Sequence, residues 1–225
     1  SNFEYDGKIL KIYNSYFRSK NLTFKNKSEI ILSPFLDIRS KFNIEELKSK
    51  IFTKVDLTQL LSFKDILRKI NIKSELSFKS KKINHFSFDD LNLKLNLAYG
   101  RMNYSKKLSK ANNNLQCEGS INLLEEYPVL FFNCSIDTES KKEFLKLFSI
   151  KNKEKEKTFK LNFNGNLNVL SSKINFTNIS NDENYLASKA DLKYLKDTLE
   201  SIFLNNDIFE IFNLKRIKEF IIEIS

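Results

Sequence analysis

Alternation of apolar and polar residues dominates the chain. The clearest stretch is "LNLKLNLAY", which runs from Leu91 to Tyr99 and places an apolar residue at every odd position. The same pattern returns on odd positions from Phe159 to Val169, where Lys160 and four asparagines occupy the even positions. Because successive side chains of a strand point to opposite faces, both stretches predict strands with one apolar and one solvated side. Such strands are typical of an antiparallel sheet with one face in water.

Shorter segments repeat this period of two. They are Leu10 and Ile12; Leu22 and Phe24; Ile30 and Leu32; Leu36, Ile38 and Phe42; and Ile70, Ile72, Leu76 and Phe78. Helical spacing is confined to residues 57–70, 139–150, 189–203 and 213–224. We therefore predict a mainly β protein with some α (α+β): a long curved antiparallel sheet forming an open hydrophobic groove, with short crossover helices and C-terminal capping helices.

A weak internal repeat divides the chain further. The segment after Pro34 aligns with the segment after Pro128 at a spacing of 94. This alignment matches Leu36 with Leu130, Ile38 with Phe132, Ser40 with Cys134 and Phe42 with Ile136. A helix-like stretch and another strand follow in both copies. We predict a β-groove region over residues 1–188 with an approximate 90-residue repeat, and a helical cap over residues 189–225.

The two cysteines fit one hairpin register. A turn centred between Glu125 and Glu126 would place Cys117 opposite Cys134, with Gly119 opposite Phe132 and Ile121 opposite Leu130. The separation across such a pair is within disulfide range, so an oxidising compartment would allow a bridge. Two reduced core cysteines remain an equal alternative, because cross-strand bridges in antiparallel pairs are strained.

Composition indicates a folded protein with a basic surface. The 225 residues are 41% hydrophobic and carry a net charge of +10, which invites a nucleic-acid interpretation. The excess is nearly all scattered lysine, with only five arginines, and it accompanies abundant Asn, Ile and Phe, whose codons are A/T-rich. We therefore interpret the charge as a solvated face and expect no nucleic-acid partner.

The sequence lacks the usual marks of an enzyme. His85 is the one histidine, and no phosphate-binding loop, nucleophile elbow or metal-ligand spacing occurs. The pairs Asp89–Asp90 and Glu125–Glu126 are expected to be solvated turn charges. We expect a protein with no enzymatic activity, no metal and no cofactor. No apolar run of about 18 residues and no signal-peptide pattern is present, so we expect a piece of a longer protein without its targeting segment.

One-sided strands, a strand–helix–strand repeat and the helical end "DLKYLKDTLESIFLNNDIFEIFNLKRIKEFIIEIS" together resemble the AsmA-like family, which includes TamB and YhdP of Gram-negative bacteria. The resemblance implies a periplasmic β-groove, attached to the inner membrane by an N-terminal anchor that this chain lacks. It implies phospholipid transport in outer membrane biogenesis, with phospholipid, membrane and envelope proteins as partners.

A lipid-filled groove also follows from the residues, because many apolar faces and few helices leave the sheet in need of a cover. The predicted lipid-binding residues are Leu36, Ile38, Phe42, Leu76, Phe78, Leu91, Leu93, Leu95, Leu97, Tyr99, Ile121, Leu130, Phe132, Phe159, Leu161, Phe163, Leu167 and Val169. The alternative is a structural or assembly scaffold of the envelope with a closed β-sandwich core, which would need two opposed sheets.

Overall fold

Eleven strands form one open sheet whose spatial order equals the chain order. The computed structural model describes residues 2–20, 22–47, 61–79, 89–147, 157–182 and 185–204, together with Glu219. The strands are β1 (Asn2–Tyr5), β2 (Ile9–Arg18), β3 (Leu22–Ile31), β4 (Leu36–Leu47), β5 (Ile70–Lys79), β6 (Asp90–Ala98), β7 (Arg101–Lys110), β8 (Asn113–Asn122), β9 (Val129–Thr138), β10 (Phe159–Asn168) and β11 (Lys173–Asn181). The helices are α1 (Lys64–Leu67), α2 (Lys141–Leu147), α3 (Lys189–Leu199) and a π-helical turn, Glu200–Leu204.

Nine of the ten strand pairs are antiparallel, so the expectation of a mainly antiparallel sheet is confirmed. The exception is β4–β5, which is parallel from Leu36 opposite Ile70 to Ile44 opposite Phe78. A parallel pair needs a crossover of about a dozen residues or more. Residues 48–69, which contain α1, supply that length. The connection that contains α2 instead joins the antiparallel neighbours β9 and β10.

The tight turn between β6 and β7 corrects the prediction for Tyr99. Ala98 pairs with Arg101, so Tyr99 and Gly100 alone form the turn, and both have positive φ angles of 48° and 82°. Two such residues fit a two-residue hairpin whose twist matches that of the strands. Tyr99 therefore leaves the alternation of β6, and its side chain is 53% exposed.

Each strand contributes one apolar and one polar side, and the register places all apolar sides on the same face. We call this the apolar face and the opposite side the polar face. Three buried clusters lie on the apolar face. The Phe78 cluster has Ile44 and Phe78 at its centre. The Leu97 cluster contains Leu67, Leu97, Ile121, Leu123 and Val169. The Phe176 cluster contains Leu167, Ile174, Phe176 and Ile179.

Helix α3 covers the apolar face at the β11 side of the sheet. Ser188 caps it by accepting a hydrogen bond from the backbone N–H of Asp191, whose carboxylate accepts one from the Ser188 N–H. This capping box fixes the helix start. Leu192, Leu195 and Leu199 then pack on the Phe176 cluster. The helix predicted over residues 189–203 is confirmed for its first eleven residues, whereas the one predicted over residues 213–224 lies outside the described part of the chain.

The apolar spacing at residues 57–70 and 139–150 corresponds to α1 and α2, of which only short helical stretches fall within the described residues. Leu67 of α1 is buried in the Leu97 cluster, so α1 closes that end of the apolar face. Within the described ranges, no helix has the length and apolarity needed to cross a bilayer.

The residues aligned by the 94-residue repeat form β4 and β9. Leu36 and Ile38 lie on the apolar face of β4, and Leu130 and Phe132 lie on that of β9. The connections that follow differ, since one leads to a parallel and the other to an antiparallel neighbour. The repeat and the division at residue 188 stay predictions.

Candidate functional site

One row of side chains crosses the middle of the apolar face from β2 to β11. We call it the central row, and its members are cross-strand partners of one another. In strand order they are Ile12, Ser28, Ser40, Ser74, Leu95, Tyr104, Gly119, Phe132, Gly165 and Phe176. The row is unusual because small or polar residues interrupt a face that is otherwise made of Leu, Ile and Phe.

A cavity of about 790 Å³ lies against the six strands β2 to β7 at the level of the central row. Each of these strands contributes its central-row residue and the residues on either side of it, whose side chains point to the polar face. Twelve of the eighteen lining residues are therefore polar-face residues, and the large apolar-face residues Ile38, Phe42, Ile72 and Leu76 do not line the cavity. The six central-row residues are Ile12, Ser28, Ser40, Ser74, Leu95 and Tyr104. Its volume falls within the range of roughly 300–1,000 Å³ that small-molecule sites occupy.

Bulkier side chains border the central row along the strands. On one side lie Phe42 and Leu76, followed by the ring of Phe24, which packs against Phe42 with its centroid 5.5 Å away. On the other side lie Ile38 and Ile72. Because the serines are smaller than the residues on either border, the central row is a depression that crosses the strands between two apolar borders.

The serine hydroxyls of the central row are satisfied by the protein itself. Ser40 and Ser74 face each other across the parallel pair, and their Oγ atoms are 2.5 Å apart in a hydrogen bond. The Ser28 hydroxyl donates to Asn26 Oδ1 at 2.8 Å. Because these polar groups already have partners, an apolar ligand placed over them would leave no hydroxyl without a hydrogen bond.

The same row is filled from β8 to β11. Gly119 and Gly165 flank Phe132, and aromatic rings occupy the space that a larger residue at either glycine would take: the Tyr104 ring at Gly119 and the Phe132 ring at Gly165. A Cβ added to Gly165 would lie 2.7 Å from Phe132 Cζ and would also meet the backbone oxygen of Asn175. Phe132 further makes an edge contact with Phe176, with centroids 6.1 Å apart. In this half of the row, the space over the glycines is therefore filled by aromatic rings that belong to the strands themselves.

A disulfide joins β8 and β9 next to this aromatic cluster. Cys117 and Cys134 are directly opposite, with Cα atoms 4.1 Å apart, and their sulfurs are bonded. The hairpin register predicted from the turn at Glu125 and Glu126 is therefore confirmed. Of the two redox states that the sequence left open, the structure has the bridged one, with both cysteines buried on the apolar face.

Charged residues are distributed unequally between the two faces. On the polar face, carboxylates and cations pair closely: Lys25 Nζ lies 2.7 Å from Glu45 Oε1, and Arg39 contacts Asp37 at 3.2 Å. On the apolar face of the described strands, the register places Lys106 and Lys110 and no Asp or Glu. Lys110 stands at the strand end, 3.8 Å from Asp89.

Burial shifts the pKa values of two titratable residues of β7, Tyr104 and Lys106. The pKa of Lys106 is lowered and that of Tyr104 is raised, in both cases because the charged form loses hydration on the apolar face. At neutral pH the tyrosine is therefore a neutral hydroxyl.

Sixteen of the eighteen predicted lipid-binding residues lie on the apolar face of β4, β5, β6, β8, β9 and β10. Val169 follows β10 and is buried in the Leu97 cluster, and Tyr99 lies in the exposed turn. Only Leu95 of the predicted set lines the cavity. The others lie on the borders of the central row or in the filled half of the face.

Sequence reasoning missed Ser28, Ser40, Ser74 and Tyr104, because a polar residue was taken as a break in an apolar pattern. A signal was present: Ser40 and Ser74 each stand at an apolar-parity position between two large apolar residues, as in Ile38-Ser40-Phe42. A small side chain between two large ones on one face marks a gap in that face.

Metal-site geometry is lacking in the part of the chain that the structure describes, where no three His, Cys, Asp or Glu side chains converge. His85 lies outside the described residues. Comparisons with protein-family models, curated proteins and solved structures gave no match to this chain.

Proposed function

We propose that this protein binds phospholipid acyl chains along the apolar face, which serves as a hydrophobic groove, and that it carries out no covalent chemistry. The resemblance to the AsmA-like family extends this proposal to a periplasmic protein of the bacterial envelope that holds or conducts lipid between the inner and outer membranes.

The single observation that supports the proposal is the apolar face over β2 to β7, where three serines of the central row lie between larger apolar side chains and where the described helices cover the face only at its ends. The serine hydroxyls of this row are satisfied internally. Acyl chains gain about 0.8 kcal/mol for each CH₂ that leaves water. A site long enough for many CH₂ groups therefore needs no specific polar contact to bind a lipid chain.

The arrangement of the strands also favours a groove over a closed sandwich. A sandwich buries one sheet against a second sheet at about 10 Å. All eleven described strands belong to one sheet, and helices cover its apolar face at the ends. The Cys117–Cys134 bridge further supports an oxidising compartment such as the periplasm.

Leu95→Asp tests the proposal, because Leu95 lies in the central row of the apolar face, opposite Ser74. We expect the variant to stay folded and to lose co-purifying lipid, since a carboxylate in an open groove would meet water but would repel acyl chains. Lipid is counted by native mass spectrometry and folding by thermal melting. Asn96→Asp is the matched control, because Asn96 is the next residue of the same strand and lies on the polar face.

Two results would contradict the groove. A folded Leu95→Asp protein with the lipid content of its parent would exclude Leu95 from the lipid path. An unfolded variant beside a stable Asn96→Asp protein would favour a closed core, because an unpaired buried charge costs several kcal/mol.

A further inference from the structure

The cavity of about 790 Å³ is a groove with a basic lining on the polar face of β2 to β7, and we call it the basic groove. Its two sides are polar-face residues, and the backbone of the central row lies between them. Six of the lining side chains are cations and two are carboxylates, which leaves a surplus of four positive charges. The cations are Lys11, Lys27, Arg39, Lys41, Lys73 and Lys94, and the carboxylates are Glu29 and Glu75.

Two cross-strand pairs in the basic groove place like charges opposite each other. Lys27 lies directly opposite Lys41 across β3 and β4, and Arg39 lies directly opposite Lys73 across β4 and β5. Among the remaining pairs of the described strands, no two residues of like charge face each other. Like charges directly opposite in a sheet are destabilising. The groove therefore keeps a repulsion that a bound anion would relieve.

The carboxylates of the groove do not neutralise its lysines. Each carboxylate lies 3.6 Å from one cation of the groove, so both are already paired. Within the described residues, Lys27, Lys73 and Lys94 form no ion pair. All three are exposed. Their ammonium groups are therefore accessible to a ligand from solvent.

The polar face of β8 to β11 does not share this charge. Its positions are mostly Asn, Ser and Gln, and its charged residues are Glu118, Asp137, Lys160 and Lys173. Two positive and two negative charges balance there. The surplus of positive charge on the polar face therefore lies over β2 to β7, where the groove is, and it is complementary to an anionic partner.

The shape of the groove favours an extended polymer with carboxylates. Six strands spaced about 4.8 Å apart separate its ends by about 24 Å, which equals about seven residues of an extended peptide. Single-stranded nucleic acids bind where several aromatic rings offer stacking surfaces. The groove has one polar-face ring, Tyr13, whose hydroxyl donates a hydrogen bond to Glu4. A bilayer surface is flat and would not fill a depression between two rows of side chains.

We propose that the basic groove binds an acidic peptide segment of a partner protein, which lies extended across β2 to β7 with its carboxylates on Lys27, Lys73 and Lys94. This inference goes beyond the proposed function, because lipid would occupy the opposite face of the sheet. Exposed ion pairs contribute little individually and are screened by salt. The affinity therefore comes from several pairs that form together, and it falls as the salt concentration rises.

The test measures binding of fluorescein-labelled heptaglutamate to the whole chain by fluorescence polarisation at low salt, with heptaglutamine as the uncharged ligand. We expect saturable binding of heptaglutamate that weakens with added salt, and no binding of heptaglutamine. The double variant Lys27→Gln/Lys73→Gln should weaken the binding about tenfold. Without peptide, this variant should melt no lower than the wild type, because it removes one member of each like-charge pair.

Lys107→Gln/Lys160→Gln is the matched control, because it removes the same charge from exposed polar-face positions outside the groove. It should bind heptaglutamate as the wild type does. Equal binding of the two peptides, or equal affinities of the two double variants for heptaglutamate, overturns the inference and leaves the lipid-binding proposal standing.

Phosphatidylglycerol vesicles and an oligouridine of eight nucleotides are measured in parallel. If either one binds more tightly than heptaglutamate, and Lys27→Gln/Lys73→Gln abolishes that binding, the groove belongs to a membrane surface or a nucleic acid. Such a result also overturns the inference.

Discussion

The apolar face of this sheet has two halves that follow the same alternation of residues but are completed differently. From β8 to β11, Phe132 and Phe176 fill the central row, with the Tyr104 ring at Gly119 and the Phe132 ring at Gly165, and α3 packs on the edge. From β2 to β7, three serines occupy the same row between larger apolar side chains. The half from β8 to β11 is covered by side chains of this protein, whereas the half from β2 to β7 leaves room for a ligand.

Side-chain volume in a single row accounts for this difference. Both halves place large apolar residues on either side of the row, so both are equally apolar in composition. The filled half pairs its rings with glycines, which lets each ring lie flat on the sheet. The open half pairs serine with serine across β4 and β5, and their hydrogen bond satisfies them without adding volume. The volume of the central-row side chains, and not their polarity, therefore indicates where this face is open.

Gly165→Val would break the filled half, and we expect the largest effect there. The added side chain would collide with the Phe132 ring and with the backbone oxygen of Asn175, neither of which can move without disrupting β9 or β11. We expect a loss of about 3 kcal/mol or more in the free energy of unfolding, measured by urea denaturation.

Ser28→Val is the counterpart of Gly165→Val in the open half. It adds volume to the same row, but next to the small side chain of Ser40. We expect its effect to stay within about 1 kcal/mol, the value of one lost side-chain hydrogen bond to Asn26. Equal losses for the two variants would contradict the distinction between a filled and an open half.

Reduction of the Cys117–Cys134 disulfide should also act on the filled half. The bridge closes a loop with a sequence separation of 17, and loops of that size contribute about 3 kcal/mol by restricting the unfolded chain. We expect reduced protein to lose about that much stability. Hydrogen exchange should show that β8 and β9 lose protection before β3 and β4 do. Uniform loss of protection across the sheet would indicate that the two halves unfold as one unit.

Lys106→Met sharpens the comparison at the boundary between the halves, with the smallest expected effect. In the absence of lipid, removal of the desolvated charge should raise Tm, because burial disfavours the charged form of Lys106 and lowers its pKa. Lys107→Met should leave Tm unchanged.

The pH dependence of this effect has a defined sign. Because burial lowers the pKa of Lys106 below its usual 10.5, the unfolded chain binds the proton more tightly. The wild type therefore loses stability relative to Lys106→Met as the pH falls from 10.5 through the lowered pKa. We expect the Tm difference between the two proteins to be largest at neutral pH and to vanish above pH 10.5. A difference that is constant across this range would exclude the ammonium as its cause.

The faces of the strands could be predicted because their information is local. Alternation from Leu91 to Leu97 fixes which side chains share a face, and a turn at Glu125 and Glu126 fixes the register of β8 on β9. Neither inference needs residues that are distant in the sequence. The helix start at Lys189 is local too, since its cap lies one residue before it.

The open half could not be predicted in this way, because it depends on neighbours from distant segments. Ser40 and Ser74 meet only through the parallel pairing of β4 and β5, and the sequence predicted a mainly antiparallel sheet without locating a parallel pair. Alternation also says nothing about what covers a face, so Phe132 and Leu95 carry the same signal although Phe132 is packed by another ring and Leu95 lies opposite a serine. The alternation extended the predicted strand to Tyr99. In the structure Tyr99 lies in the turn after β6, and its positive φ takes it off the apolar face.

The most direct test is to map where acyl chains touch the protein. A phospholipid with a photoactivatable group in its acyl chain is loaded from vesicles and cross-linked by light, and the labelled peptides are sequenced by mass spectrometry. We predict labels on apolar-face residues of β3 to β7, centred on Ser40, Ser74 and Leu95, and few on Phe132 or Phe176. Labels confined to the polar face, or spread equally over β8 to β11, would contradict the claim that the open half of the face is the lipid site.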